Sequence, residues 1–284
     1  MLSDVMDLLA CPHCTSDLEA IEDGRVLRCD RAHTFDVARQ GYVSLLAGNA
    51  GKIVGDSAEM IEARSKFLDS GHFDRIIAAV AAAMSVHDPA TVLEVGAGTG
   101  HYLAAVLETS ERMRGVGLDV SKPAARTVAR AHPRLGSVVA DVWQPLPVRT
   151  GAIDAVSCVF SPRNAAELRR ILAPDGILVV VTPTAHHQQE LIETLGLLSV
   201  DEDKARRLEE SLAGRYEQTD TTRIEFTMAL DHASIGSLVG MGPSVRHSTD
   251  ASRRTAIAAL PDTVEVTASV TVGTYRALAA SAAL

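Results

Sequence analysis

The run Thr91-Val-Leu-Glu-Val-Gly-Ala-Gly-Thr-Gly-His-Tyr102 constrains the chain more than any other stretch. Residues 91–95 are β-branched or apolar apart from Glu94, the composition of a strand buried on both faces. Gly96, Gly98 and Gly100 follow at alternate positions, and His101 to Glu108 has helical composition. The glycines therefore sit at a strand-to-helix turn, where the backbone can bend sharply and a ligand can approach it closely. Open α/β sheets bind ligands there, outside the carboxyl ends of their strands. The spacing is neither the G-x-G-x-x-G of a dinucleotide site nor the Gly-Lys-Ser/Thr of a P-loop.

Downstream, strand-like and helix-like segments alternate, which predicts a doubly wound parallel sheet. Gly115 to Asp119, Ser137 to Ala140, Ile153 to Phe160 and Ile177 to Thr182 read as its further strands. Asp119 ends the second strand, where a carboxylate can accept hydrogen bonds from ribose hydroxyls. Ser121 with Pro123 opens a helix. Asp141 and Val142 follow the third strand, and Trp143 after them is expected to pack in the core. Cys158, alone in an apolar strand, reads as a core residue. Thr222 to Leu230 and Val264 to Val272 alternate in polarity, so they should add an antiparallel edge.

The first 50 residues have a different character. Cys11-Pro-His-Cys14 and Cys29-Asp-Arg-Ala-His33 form two knuckles, joined by a segment with an Asp23-Gly24 hairpin signal. Three cysteines and a histidine make a closed tetrahedral set suited to structural Zn²⁺ in a small zinc ribbon. His13 reads as a bystander. A module this small needs the metal to hold it together. The chain thus divides into a ribbon over residues 1–50, a helical connector over 51–90 and a main domain over 91–284.

The chain has 36 acids against 27 bases, a net charge of −9, which argues against non-specific coating of nucleic acid. From Arg25 to Lys66 the balance reverses to seven bases against five acids, compatible with a local phosphate-facing surface. No apolar run approaches the roughly 20 residues of a membrane span, and no signal peptide pattern opens the chain, so a cytoplasmic location is expected.

The form E-V-G-A-G-T-G resembles motif I of class I S-adenosylmethionine (SAM) methyltransferases, a Rossmann-like fold. The two knuckles followed by H-T-F-D-V-A-R-Q-G-Y-V-S-L-L (33–46), with Gly55-Asp-Ser-Ala-Glu-Met60, Ala63-Arg64 and Phe67-Leu-Asp-Ser-Gly-His-Phe73, resemble the 23S rRNA guanine-N1 methyltransferases. That family includes housekeeping enzymes and the tylosin-resistance type, and the likeness covers nearly the whole chain. It implies SAM as cofactor, zinc in the ribbon, a 23S rRNA hairpin as partner and a homodimer. It implies a cofactor site of Phe73, Glu94, Gly96, Gly98, Thr99, Gly100, His101, Asp119, Asp141, Val142 and His187, the last preferred over His186. Phe160, Ser161 and Pro162 fall where such enzymes face the methyl acceptor, with Arg246 and His247 near the mouth. The competing reading is a small-molecule methyltransferase of the same fold, with the ribbon serving as structure only.

Overall fold

The computed structural model describes residues 1–47, 54–195, 197, 203–242 and 250–278. The ribbon is a three-stranded antiparallel sheet of β1 (Leu18–Ile21), β2 (Val26–Cys29) and β3 (Thr34–Asp36). Its hairpin turns at Asp23 and Gly24, both at positive φ. A 3₁₀ helix over Leu2–Leu8 precedes it.

The next strand, β4 (Tyr42–Ser44), leaves the ribbon and joins the main sheet. The connector supplies α1 (Ala58–Asp69) and α2 (Asp74–Met84). Ser57 caps α1 by accepting from the Met60 N–H. Then come β5 (Thr91–Val95), α3 (His101–Glu108), β6 (Arg114–Asp119), α4 (Lys122–Ala131), β7 (Leu135–Val139), β8 (Ile153–Val159), α5 (Ala165–Ile171) and β9 (Leu172–Pro183). The chain continues through α6 (Gln189–Leu195), α7 (Lys204–Leu212), β10 (Tyr216–Asp231), α8 (His232–Gly240), α9 (Asp250–Ala258) and β11 (Thr263–Ala277).

The eight-stranded sheet runs β10-β11-β9-β8-β5-β6-β7-β4. The six strands from β9 to β4 are parallel to their neighbours, while β11 pairs antiparallel with both β9 and β10. The doubly wound sheet with an antiparallel edge is therefore as expected. The two antiparallel strands, β10 and β11, run well beyond the alternating segments that signalled them, because the Thr-rich extension of β10 stays paired to β11.

The eighth strand was not foreseen. Tyr42, Val43 and Ser44 pair with Ser137, Val138 and Val139, and the Leu45 N–H donates to the Val139 carbonyl at 2.9 Å. The ribbon shares one hydrophobic core with the sheet. Cys11, Leu27 and Cys29 lie in the same buried cluster as Val43, Leu93, Val116 and Val138. The opposite face, carrying Val92 and Val179, packs under α2 and α3 through Ile76, Val80, Leu103 and Val106. Strand alternation sends Leu93 to one core and Val92 to the other. A ribbon too small to bury its own interior is stabilised by burying it on the sheet.

One strand limit and one exposed ring depart from the sequence reading. β8 stops at Val159 because Phe160 turns to φ 51. Trp143, expected in the core, is 62% exposed. It stands in the loop beyond β7, at the open carboxyl edge of the sheet, where no layer covers it. Cys158 is fully buried, as expected. No helix among the described residues is long and apolar enough to cross a membrane.

Candidate functional site

The strands β5, β6, β7 and β8 end on one side of the sheet, and their carboxyl ends wall a cleft of about 610 Å³. Glu94, Gly96, Gly98 and Thr99 line it from β5 and its turn. Asp119 faces it from β6, and Asp141 and Val142 from the end of β7. Phe160, Ser161 and Pro162 close it beyond β8, and Phe73 and His187 complete the wall. Gly100 and His101 do not line it. Gly100 starts α3 at φ 79, and a Cβ there would meet the Ala131 Cβ at 2.9 Å, so its role is helix packing. His101 turns away, with Nδ1 on the Thr99 hydroxyl at 2.8 Å and Nε2 on Asp69 at 3.0 Å. Arg246 and His247 lie outside the described residues.

The turn after β5 is fixed from outside itself. Asp119 Oδ2 accepts from the Gly98 N–H at 2.9 Å and Oδ1 from the Ser121 N–H at 2.8 Å. Each oxygen keeps a lone pair for a further donor. Gly96 at φ 68 would place a Cβ 2.6 Å from the Ser161 Cβ, so only glycine lets the turn meet the acceptor-side loop.

Glu94 carries the strongest electrostatic signal. Its carboxylate is buried, and Oε2 has no hydrogen-bond partner. Burial pushes its pKa up to about 8, and Asp119 adds to this. The Leu103 N–H and the Arg64 charge pull the other way. Burial also raises Asp119 above the usual carboxylate range. Buried, charge-shifted groups in a cleft mark a functional site.

Arg64 on α1 belongs to the Ala63-Arg64 pair of the family resemblance, but the sequence assigns it no place in the site. Its Nη1 pairs with Asp56 at 2.8 Å, and its Nη2 donates to the Met241 carbonyl at 3.0 Å. Asp56 in turn accepts, through its carbonyl, from the Ser121 hydroxyl at 2.7 Å. These contacts draw the connector and α8 around the cleft.

On the far wall the rings of Phe73, Phe160 and His187 lie 5.7–6.5 Å apart between centroids. His187 Nδ1 accepts from the Ser269 N–H at 3.1 Å. A backbone N–H only donates, so Nδ1 is the ring's acceptor and the proton sits on Nε2, 3.0 Å from the Gln188 amide group, whose oxygen must face the ring to accept from it. His186 points outward, to Glu225. Phe160 holds a positive φ despite its Cβ, a conformation costing on the order of 1–3 kcal/mol that persists where the surroundings enforce it.

In the ribbon, Cys11, Cys14, Cys29 and His33 bring one ligand atom each within 4.8 Å of all the others. Cys11 Sγ and Cys29 Sγ lie 3.5 and 3.3 Å from His33 Nδ1, and Cys14 Sγ is 3.6 Å from Cys29 Sγ. The sulfurs are too far apart for a disulfide. The separations approach the roughly 3.5–3.8 Å edges of a tetrahedral Zn²⁺ site. His13 stays outside the set, its ring 5.9 Å from Phe35.

Comparison with known proteins meets this geometry at both ends of the chain. The model of the RlmA N-terminal zinc ribbon matches residues 9–50, and a methyltransferase domain model matches residues 92–176. A Streptomyces fradiae protein named 23S rRNA (guanine(748)-N(1))-methyltransferase is 46% identical over 98% of this chain and all of its own length. The chain belongs to the 23S rRNA guanine-N1 methyltransferase family.

A relative from Micromonospora griseorubida is 45% identical over 97% of the chain and 99% of its own length. A third, from Bacillus subtilis, is 31% identical over 83% of the chain and 86% of its own. Among solved structures, a Bacillus halodurans protein gives a TM-score of 0.51 at 14% identity, over 70% of this chain and 97% of its own. A chain from the Haloferax volcanii Trm112 activator complex gives 0.51 at 19%, over 78% and 96%. These two establish the fold. The cofactor of this family is SAM, and the cleft's residues fit it. An unpartnered buried carboxylate oxygen at Glu94 suits a cation such as the cofactor's ammonium, and the glycine turn lines the cleft. The Cys₃His set fits Zn²⁺ by donor chemistry and spacing.

Two predictions arise here. In cofactor-free protein, Glu94 keeps its proton up to about pH 8 when folded, but loses it near 4.5 when unfolded. The unfolded state then binds fewer protons across that window, so stability falls as pH rises through it. Glu94→Gln removes the effect. In urea unfolding, the variant should gain on the wild type steadily from about pH 5 to about pH 8; parallel curves would refute a neutral buried Glu94. Separately, Cys29→Ser should lower bound zinc, measured by elemental analysis, from about one per chain to near zero.

Proposed function

We propose that this chain transfers the methyl group of SAM to N1 of a guanine in a hairpin loop of 23S rRNA domain II. The observation that carries the reading is the 46% identity to the S. fradiae enzyme across both the ribbon and the cleft. A family model for the ribbon supports it independently, because a generic methyltransferase has no need of that module.

The cofactor supplies an electrophilic methyl on its sulfonium. Glu94, the Gly96–Thr99 turn, Asp119, Asp141 and Val142 would hold it, with Phe73 and His187 along the wall. Each does so through a distinct property. Glu94 offers a carboxylate oxygen with no partner of its own. Asp119 offers oxygens already oriented by Gly98 and Ser121. The turn offers its backbone to the cleft, with the Ser161 and Arg64 side chains packed against Gly96 and Gly98. The aromatic wall excludes water from the transfer path.

In the reaction, a bond forms between guanine N1 and the methyl carbon, the carbon–sulfur bond breaks, and the N1 proton departs. Most of the rate gain in such an in-line transfer comes from positioning. His187 commits its acceptor nitrogen to Ser269, so its contribution is orientation and packing rather than removal of that proton. An unstacked loop guanine can present N1, which a paired guanine cannot. The same reading makes the protein a cytoplasmic homodimer, and it allows a role in macrolide resistance of the tylosin type.

Incubating the purified protein with methyl-labelled SAM and a domain II hairpin should yield labelled 1-methylguanosine after nuclease digestion. Label at another atom, or transfer only to small metabolites, would sink the reading.

A further inference from the structure

Next to the cofactor cleft lies a second cavity of about 380 Å³, within the range of small-molecule sites. The two share a wall made of Trp143, Phe160, Ser161 and Pro162. The second adds Arg163 and Arg207, and no carboxylate lines it among the described residues. In a chain with nine more acids than bases, two guanidinium side chains in an acid-free pocket are a local reversal of charge.

The shared wall is unusual in three further ways. Trp143 and Phe160 are two of the few large apolar side chains that stand exposed, at 62% and 41%. Phe160 is held at positive φ. Only four buried side-chain polar atoms among the described residues lack a hydrogen-bond partner, and Ser161 Oγ and Arg163 Nε are two of them. Exposed rings on two neighbouring loops, over polar atoms with no hydrogen-bond partner, are poor for folding alone. They are the equipment of a nucleotide subsite: aromatic faces for a base, guanidinium groups for a phosphate, and donors for base or sugar edges.

Resting on the reading above, we propose that this cavity takes the nucleotide next to the target guanine, and that Trp143 is the platform on which its base stacks. Trp143 is placed for this by its own backbone. Its N–H donates to Asp141 Oδ1 at 2.9 Å, which ties the ring's position to the edge of the cofactor cleft. Arg163 and Arg207 hold the phosphate that links the two nucleotides. The stack would fix the loop in register, so that the guanine beside it enters the cleft with N1 towards the methyl donor. Trp143 is then a positioning and specificity residue, acting through the RNA backbone.

Trp143 is the chain's single tryptophan, so its fluorescence reports on this shared wall alone. The experiment titrates zinc-loaded full-length protein with a domain II hairpin and follows tryptophan emission. It then compares wild type, Trp143→Ala and Trp143→Phe for KM towards the hairpin and for SAM affinity by calorimetry. Stacking predicts strong quenching on hairpin binding. It predicts a KM for the hairpin raised about tenfold in Trp143→Ala and largely restored in Trp143→Phe, with SAM affinity kept. A hairpin abasic at the neighbouring nucleotide should weaken the wild type and leave Trp143→Ala little changed. If the wild type methylates the hairpin but emission and KM do not respond, the stacking proposal fails alone. If Trp143→Ala loses SAM affinity and keeps hairpin KM, the ring covers the cofactor and the proposal is overturned. If the wild type neither binds nor methylates the hairpin, the parent reading falls and takes this one with it.

Discussion

The carboxylate of Asp119 holds the cleft together. It accepts from the Gly98 N–H of the β5 turn and the Ser121 N–H of the β6 turn, fixing two loops to one point. Ser121 then reaches Asp56, Asp56 pairs with Arg64, and Arg64 reaches the end of α8. Four segments far apart in sequence thus close around one cavity through a single chain of polar contacts. Burial raises the pKa of Asp119, which measures the cost of placing a carboxylate there. Two backbone donors offset that cost, and a ligand's hydroxyls would offset more. Glu94, one strand away, has no such compensation on Oε2. The site is therefore built with one satisfied acid and one waiting for a partner.

The ribbon is part of this construction. It is not an appendage on a tether. β4 pairs with β7, the strand whose end carries Asp141, and the knuckle cysteines Cys11 and Cys29 are buried in the same core as the sheet. Zinc and sheet therefore stabilise each other, and the ribbon's orientation to the cleft is fixed. A substrate gripped by the ribbon would meet the cleft at a set distance, which a hairpin loop can exploit and a small metabolite cannot.

Much of this was legible in the sequence because local chemistry determined it. The glycine turn, the acid ending β6, the capped helix after Ser121 and the Cys₃His set each follow from residue type at fixed spacing. What escaped was set by tertiary context. Tyr42-Val-Ser44 is too short and unpatterned to announce a strand, and only the open edge of β7 makes it one. Trp143 follows the rule that large aromatics are buried until one sees that its loop has no layer above it. Gly100 and His101 continue the glycine run, but the helix has already begun there, so they pack at the start of α3 while Gly96–Thr99 line the cleft. Arg64 needed the fold to bring α1 against the turn.

The central claim is that cleft and ribbon together methylate guanine N1 in 23S rRNA, and its most direct test is in cells. N1 methylation blocks Watson–Crick pairing, so reverse transcription across domain II should halt one nucleotide before the modified guanine in rRNA from cells carrying the gene. The stop should vanish on deletion and return with the wild-type gene. Read-through in both strains, or a stop that persists after deletion, would contradict the account.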